Sequence, residues 1–335
     1  MQPMKKSLVL CIFFHFIVFS RFLPAEPLFF TQPQAYPLFS GGLPYIPRPL
    51  TTEKFPFHVE LSLNWWNAFR FDFRQFSPHL TYVDSEGVLG SVVVQSTVTP
   101  ALSLGLRLEF QIMFAGILDT PIEGFHHLFS LPNQGRENVS QNQFRLYHDQ
   151  DGNRIIDLSE GVMNLNLIYF WGRHALLNFP TGQLALITGL KPPLPWGLLS
   201  SLSWAIHTGL EYLGRMPELN FWWLTQLGLG WTSTPFLPQG QGWNLLWQAS
   251  LSVGWQFLPS LTVYGSLDGQ GSPYLGQPSV SSGRQGNFLI ATAWEFSPHT
   301  FLVFGLQEEG LTWASVEVGF LIYLVYRNPA RVYDE

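Results

Sequence analysis

Residues 243–257 (WNLLWQASLSVGWQF) set a pattern that recurs along the chain. Trp243, Leu245, Trp247, Ala249, Leu251, Val253, Trp255 and Phe257 alternate with Asn244, Gln248, Ser250, Ser252, Gly254 and Gln256, and only Leu246 breaks the polar set. Successive strand side chains point to opposite faces, so the stretch predicts a strand with one apolar and one wet face. A transmembrane strand needs roughly 9–11 residues, with aromatics where lipid meets water. The stretch meets both conditions.

The same alternation predicts strands over 55–65, 88–98, 102–112, 161–171, 183–191, 202–213, 219–231, 261–268, 288–296, 301–307 and 316–326,. A small satellite hairpin is expected around 82–88, turning at Ser85-Glu86-Gly87,. Thr99-Pro100, Gly214-Arg215-Met216-Pro217, Leu258-Pro259-Ser260 and Ser297-Pro298-His299 make short joins, and most intervening joins are long. Outer-membrane barrels have short periplasmic turns and longer outer loops. The join at 172–182 is longer than its class predicts. The expected fold is all-β, an antiparallel outer-membrane β-barrel of about twelve strands with a structured extracellular loop after the third.

Composition agrees. Charged residues form 12% of the chain, against about 25% in soluble domains, and aromatics form 16%,. No internal apolar run reaches the roughly 20 residues of a spanning helix, and only helices or closed sheets cross lipid. Residues 1–25 read as a cleaved secretory leader, with Lys5 and Lys6 before an apolar core,. Residues 26–54 form a proline- and aromatic-rich periplasmic lead-in, 55–326 the barrel with its long outer loop at 114–160, and 327–335 a tail. The only cysteine, Cys11, falls in the leader, so the processed chain offers no disulfide or thiolate site,. Without Lys5, Lys6 and Arg21 the formal charge moves from −6 to about −9, which disfavours nucleic acid as a partner,. Outer-membrane lipids and the barrel-assembly machinery are the expected partners. Glu317, Gly319, Ile322 and Leu324 have a spacing like that machinery's terminal signal.

The most distinctive loop motif is TPIEGFHHLFSLPNQGR, residues 120–136. Asp119 or Thr120 suits a helix cap and Pro121 the first helical position, with Ile122, Phe125, Leu128 and Phe129 on one face,. Such a helix lies in the barrel mouth as a constriction or plug, flat on the outer lipid interface, or as a lid packed on strand ends. Glu123, Phe125, His126, Phe129 and Arg136 are the candidate ligand or gating residues. His126 and His127 point about 100° apart on a helix and do not ligate a metal together. No metal or cofactor is expected. Asp149, Asp151 and Asn153 have calcium-loop spacing, but Arg154 stands where that loop needs glycine, so a hairpin turn is the better reading,.

GFHHLFSLPNQGR, the segment 145–158 and the tail motif FGLQEEGL resemble an uncharacterised bacterial family, domain of unknown function 3187. The resemblance covers about residues 45–326 and implies a secreted, β-rich envelope protein. It implies no activity. His127 and Ser130 depart from the acidic residue and glycine expected there.

The wet faces also hold Ser201, Ser203, His207 and Glu211 on one strand, and His58, Glu60 and Ser62 on another. A serine nucleophile needs a base within hydrogen-bond reach, whereas same-face neighbours two apart lie near 7 Å, so these residues name no catalytic group by themselves. The leading expectation is passive passage or uptake of a small or hydrophobic solute. A structural or surface-interaction barrel comes second, and a lipid-modifying barrel enzyme third.

Overall fold

The computed structural model describes residues 57–71, 79–129, 140–150, 153–194, 204–233, 243–270, 285–297, 299–311 and 318–328. The leader, the lead-in, Ser201, Ser203 and Arg136 lie outside the described residues.

The strands are β1 (Phe57–Phe71), β2 (His79–Thr99), β3 (Leu102–Phe114), β4 (Arg145–Gln150), β5 (Asn153–Leu158), β6 (Val162–Phe179) and β7 (Gly182–Lys191). They continue as β8 (Ala205–Met216), β9 (Phe221–Ser233), β10 (Trp243–Leu258), β11 (Leu261–Gln270), β12 (Gln285–Ser297), β13 (Thr300–Leu311) and β14 (Val318–Asn328). Each pairs antiparallel with its neighbours, and β1 pairs with both β2 and β14, so the sheet closes. All but β4 and β5 form the wall, a closed barrel of twelve strands. An α-helix, α1 (Asp119–Phe129), follows β3.

The long third loop has a specific geometry. β3 ends where Phe114 pairs with Glu86, and β4 begins where Arg145 pairs with Asp84. The two therefore run end to end along the same edge of β2. The chain leaves the sheet after β3, makes α1, and returns to extend β2 upward as the β4–β5 hairpin.

Two expectations are corrected. Ser85-Glu86-Gly87 is not a turn: these residues pair with Ala68, Asn67 and Trp66 inside one continuous β2. Two strand partners supply ladder hydrogen bonds that a local turn tendency does not match. The long join at 172–182 disappears as well, because β6 runs on to Phe179, which pairs with Gly182. That turn is as short as the others on its side, which is the periplasmic end by the loop-length rule.

Outward positions match the sequence pattern. Leu245, Trp247, Leu251, Trp255 and Phe257 of β10 are exposed, while Gln248, Ser250, Ser252 and Gln256 are buried inside. The interior, expected to be wet throughout, is mixed. Leu213, Trp222, Leu224, Tyr264, Leu289, Phe301, Val303 and Tyr323 form an apolar core within the wall of β8–β14, mostly toward the short-turn end. A second core joins Trp66, Ala68, Val83, Leu89 and Met113 of β1–β3 to Phe144 and Leu146 at the long-loop end. A twelve-stranded wall encloses more width than one layer of polar side chains fills, so large apolar residues take up part of it.

Candidate functional site

Between the two apolar cores the interior carries charge, part of it held in direct ion pairs. Arg173 Nε donates to Glu211 Oε1 at 2.8 Å, and Arg173 Nη2 to Gln183 Oε1 at 2.5 Å. Gln226 Nε2 donates to the other Glu211 oxygen at 2.9 Å. Gln183 reaches Asn178 at 2.6 Å, so the chain of bonds runs from the β6–β7 turn to β9. On the adjoining strand Arg107 pairs with Glu109 two residues along β3. Nearer the periplasmic rim, the Arg327 guanidinium lies 4.9 Å from the Phe301 ring centre. Glu211 is fully buried, so its charge depends on these partners,.

The neutral groups are arranged differently. Among the described residues, neither nitrogen of His207, neither side-chain polar atom of Asn64, and neither indole N–H of Trp171 and Trp222 has a hydrogen-bond partner. All four side chains face inward and are buried. The two indoles lie across glycines of the next strand: a Cβ on Gly105 would overlap Trp171, and one on Gly254 would overlap Trp222. The rings thus lie against the wall, each with a donor inside the barrel. Sequence reading missed Arg173 by ending its strand at Trp171. It also passed over the inward tryptophans, whose only signal is a glycine on the adjacent strand.

The candidate loop residues lie elsewhere. Trp65, Asn67, Glu86 and Val88 have the lipid-facing parity of their strands, with Leu63, Ile322 and Phe320. The start of α1 docks on this outer face: Leu118 and Ile122 pack against Trp65. Trp65 Nε1 donates to Glu86 Oε2 at 3.1 Å, and the Leu118 amide donates to Glu86 Oε1. Asn67 Nδ2 donates to Asp119 Oδ1 at 3.2 Å, and the Asn142 amide to Asp119 Oδ2 at 2.5 Å. Gln141 links Thr120 to Glu123 Oε2. In this helix His126 is buried beside the Phe125 ring, Phe125 is partly exposed, and Phe129 ends the helix.

Above the wall, the β4–β5 hairpin holds its own cluster. Tyr147 stacks on Tyr82 at 5.4 Å, and the Arg154 guanidinium sits over the Tyr147 ring, 4.0 Å from its centre. Arg154 pairs with Asp149 and Asp157, and the bond to Asp149 raises its already high pKa. Tyr82 Oη donates to Asp84 Oδ2 at 3.2 Å. Asp149 is thus engaged by Arg154. Of the serine candidates, Ser62 Oγ meets Ser91 Oγ at 2.6 Å.

A closed antiparallel wall with an apolar exterior and a partly polar interior defines a membrane-spanning β-barrel of the outer-membrane type. The chain belongs to the family described as protein of unknown function (DUF3187), whose model matches residues 39–223, more than half of its length. That match ends inside β9. No curated protein matches the chain. Among solved structures, the COG4313 outer membrane channel from Pseudomonas putida F1 is similar with a TM-score of 0.52 at 10% identity, covering 83% of this chain and 97% of that one. The NanC porin gives 0.48 at 5% identity, covering 81% and 99%. The translocator domain of the autotransporter NalP from Neisseria meningitidis gives 0.44 at 8%, covering 82% and 88%. At these identities the likeness is one of fold.

Proposed function

We propose that the barrel passes small, uncharged solutes across the outer membrane through a narrow interior, without catalysis. The observation that carries this reading is the set of buried, inward hydrogen-bonding groups on Asn64, Trp171, His207 and Trp222, none of which has a partner among the described residues. Buried polar groups are costly unless satisfied, so these groups favour water or a polar solute in the interior. The ionised groups give the complementary half. Arg173 with Glu211, and Arg107 with Glu109, are paired, which lowers the field that each would exert alone,. The apolar cores on either side suit a solute that also carries a hydrophobic part.

The test is reconstitution of the full chain. Planar bilayers should show small discrete conductance steps with little preference between cation and anion. Vesicles should swell in a neutral sugar faster than in an equally sized anionic one. A second reading, a surface-interaction barrel with a permanently packed interior, is favoured by the burial of Arg173, Lys191 and Glu211. A correctly folded barrel that is electrically silent and impermeable to sugars would select it.

A further inference from the structure

Glu86 is a carboxylate on the lipid-facing side of the wall, yet only 1% of it is exposed. An ionisable group at this position is expensive unless it is enclosed and hydrogen-bonded. The enclosure is the segment leading into α1. Gly116 lies directly over the carboxylate, where any Cβ would overlap it. The Leu118 amide and the Trp65 indole each donate to one oxygen. Asp119 repeats the device beside it, taking Asn67 from the wall and the Asn142 amide from the returning loop. The start of the helix is therefore fastened to the outside of the barrel.

Height matters as much as side. Val88, the partner of Trp65, stands eleven positions along β2 from Thr99. At about 3.3 Å per residue and a tilt near 40°, that is roughly 28 Å above the periplasmic turn, at the upper margin of a lipid band about 25 Å tall. The segment exposes large apolar side chains, Ile117 at 67%, Leu128 at 74% and Phe125 at 39%, alongside the polar Thr120 and His127. These residues continue the lipid-facing surface of Leu63, Phe320 and Ile322 on β1 and β14.

We propose that α1 is an interfacial anchor, held on the outer wall by Glu86 and Asp119, with Ile117, Phe125 and Leu128 seated in the outer leaflet where acyl chains meet headgroups. The occupant of this face is lipid, because the face adjoins the lipid belt and lies where that belt ends. The anchor also shields two outward polar side chains, Asn67 and Glu86, from hydrocarbon. A short amphipathic helix bound only by its apolar side would exchange with water. Fastened through two carboxylates, it stays at one depth.

The test uses site-directed spin labels on the full chain with Cys11→Ser, folded into phosphatidylcholine vesicles and checked by heat-modifiable gel mobility. Leu128→Cys and Phe125→Cys carry the nitroxide in turn. Leu251→Cys, on the mid-belt exterior, gives the lipid value, and Ser159→Cys, exposed beyond the hairpin, gives the water value. Both helix labels should collide with oxygen several-fold more than with a nickel chelate, at a depth shallower than Leu251. Helix labels that match Ser159 would overturn the proposal. Adding Glu86→Ala should move the Leu128 label toward the Ser159 value. An unchanged depth in that variant would remove Glu86 as the fastening. Leu128 and Phe125 lie on the exposed side, so neither label disturbs a packed core.

Discussion

The outer and inner faces of the wall share the same strands and backbone ladder but depart from strict alternation in opposite directions. Outside, the pattern is apolar and its main exception is polar: Glu86 and Asn67, covered by α1. Inside, the pattern is polar and its exceptions are apolar, gathered into two cores. The solvents differ correspondingly. Lipid accepts any apolar side chain without demanding a shape, so an outer exception must be capped by the protein itself. The interior is filled by side chains from opposing walls, so it follows the packing rules of a soluble core. The exterior is therefore set by composition, and the interior by complementarity.

The sharpest way to break the interior is to unpair its charge. Glu211→Ala leaves the Arg173 guanidinium buried without its carboxylate, and should cost about 3–5 kcal/mol in urea titrations of the barrel in lipid. Replacing both partners, Arg173→Met with Glu211→Leu, should recover most of that loss, since paired charge costs desolvation that apolar substitutes avoid. A double variant as unstable as the single one would mean that the ion pair itself contributes net stability.

The next comparison sets one leucine against another. Leu224 is fully buried in the interior core, and Leu251 faces lipid on the adjacent strand. Leu224→Ala removes apolar transfer energy and leaves a cavity, for about 3–4 kcal/mol. Leu251→Ala loses only the transfer energy, about 2 kcal/mol, because acyl chains move into the space. Equal losses at the two sites would mean that the interior relaxes as freely as lipid does.

This asymmetry also explains what the sequence revealed. The outward set of β10, Leu245 to Phe257, is legible because lipid imposes one rule at every position. The short turns at Thr99, Met216 and Leu258 are legible for a related reason, since proline and glycine punctuate them locally. Helix α1 was readable from Asp119, Pro121 and its apolar spacing, but its docking side was not. The side depends on Glu86, which sits in a Ser-Glu-Gly triplet with every local mark of a turn and becomes a strand only through β1. Arg173 and Glu211 meet across strands, as do Trp171 and Gly105, and nothing near either residue in the chain announces its partner. Chemistry alone marks out the candidate loop residues, and geometry puts Glu123, Phe125 and His126 in the helix fastened to the outer wall.

A smaller effect tests the indoles laid against the wall. Gly105→Ala places a methyl into the Trp171 ring, which must tilt into the interior or strain the strand. The expected loss is about 1–3 kcal/mol. If the ring tilts inward, a conducting barrel should also show smaller unitary steps. Unchanged stability and conductance would mean that the interior beside Trp171 has room to spare.

The smallest effect belongs to the hairpin, which lies beyond both solvents. Tyr147 packs against both Tyr82 and Arg154, and its loss removes one aromatic stack worth about 0.5–1.5 kcal/mol,. Among the described strands β4 and β5 pair with the wall only along β2, so this loss should stay local. Tyr147→Ala should leave the barrel's urea midpoint unchanged while speeding hydrogen exchange and proteolysis across 145–158. Leu146 complicates that separation, because it belongs to the interior core that Trp66 and Met113 build below. If Tyr147→Ala lowers the midpoint of the whole barrel, the hairpin is coupled through Leu146 and acts as the upper end of the interior rather than as an appendage of β2.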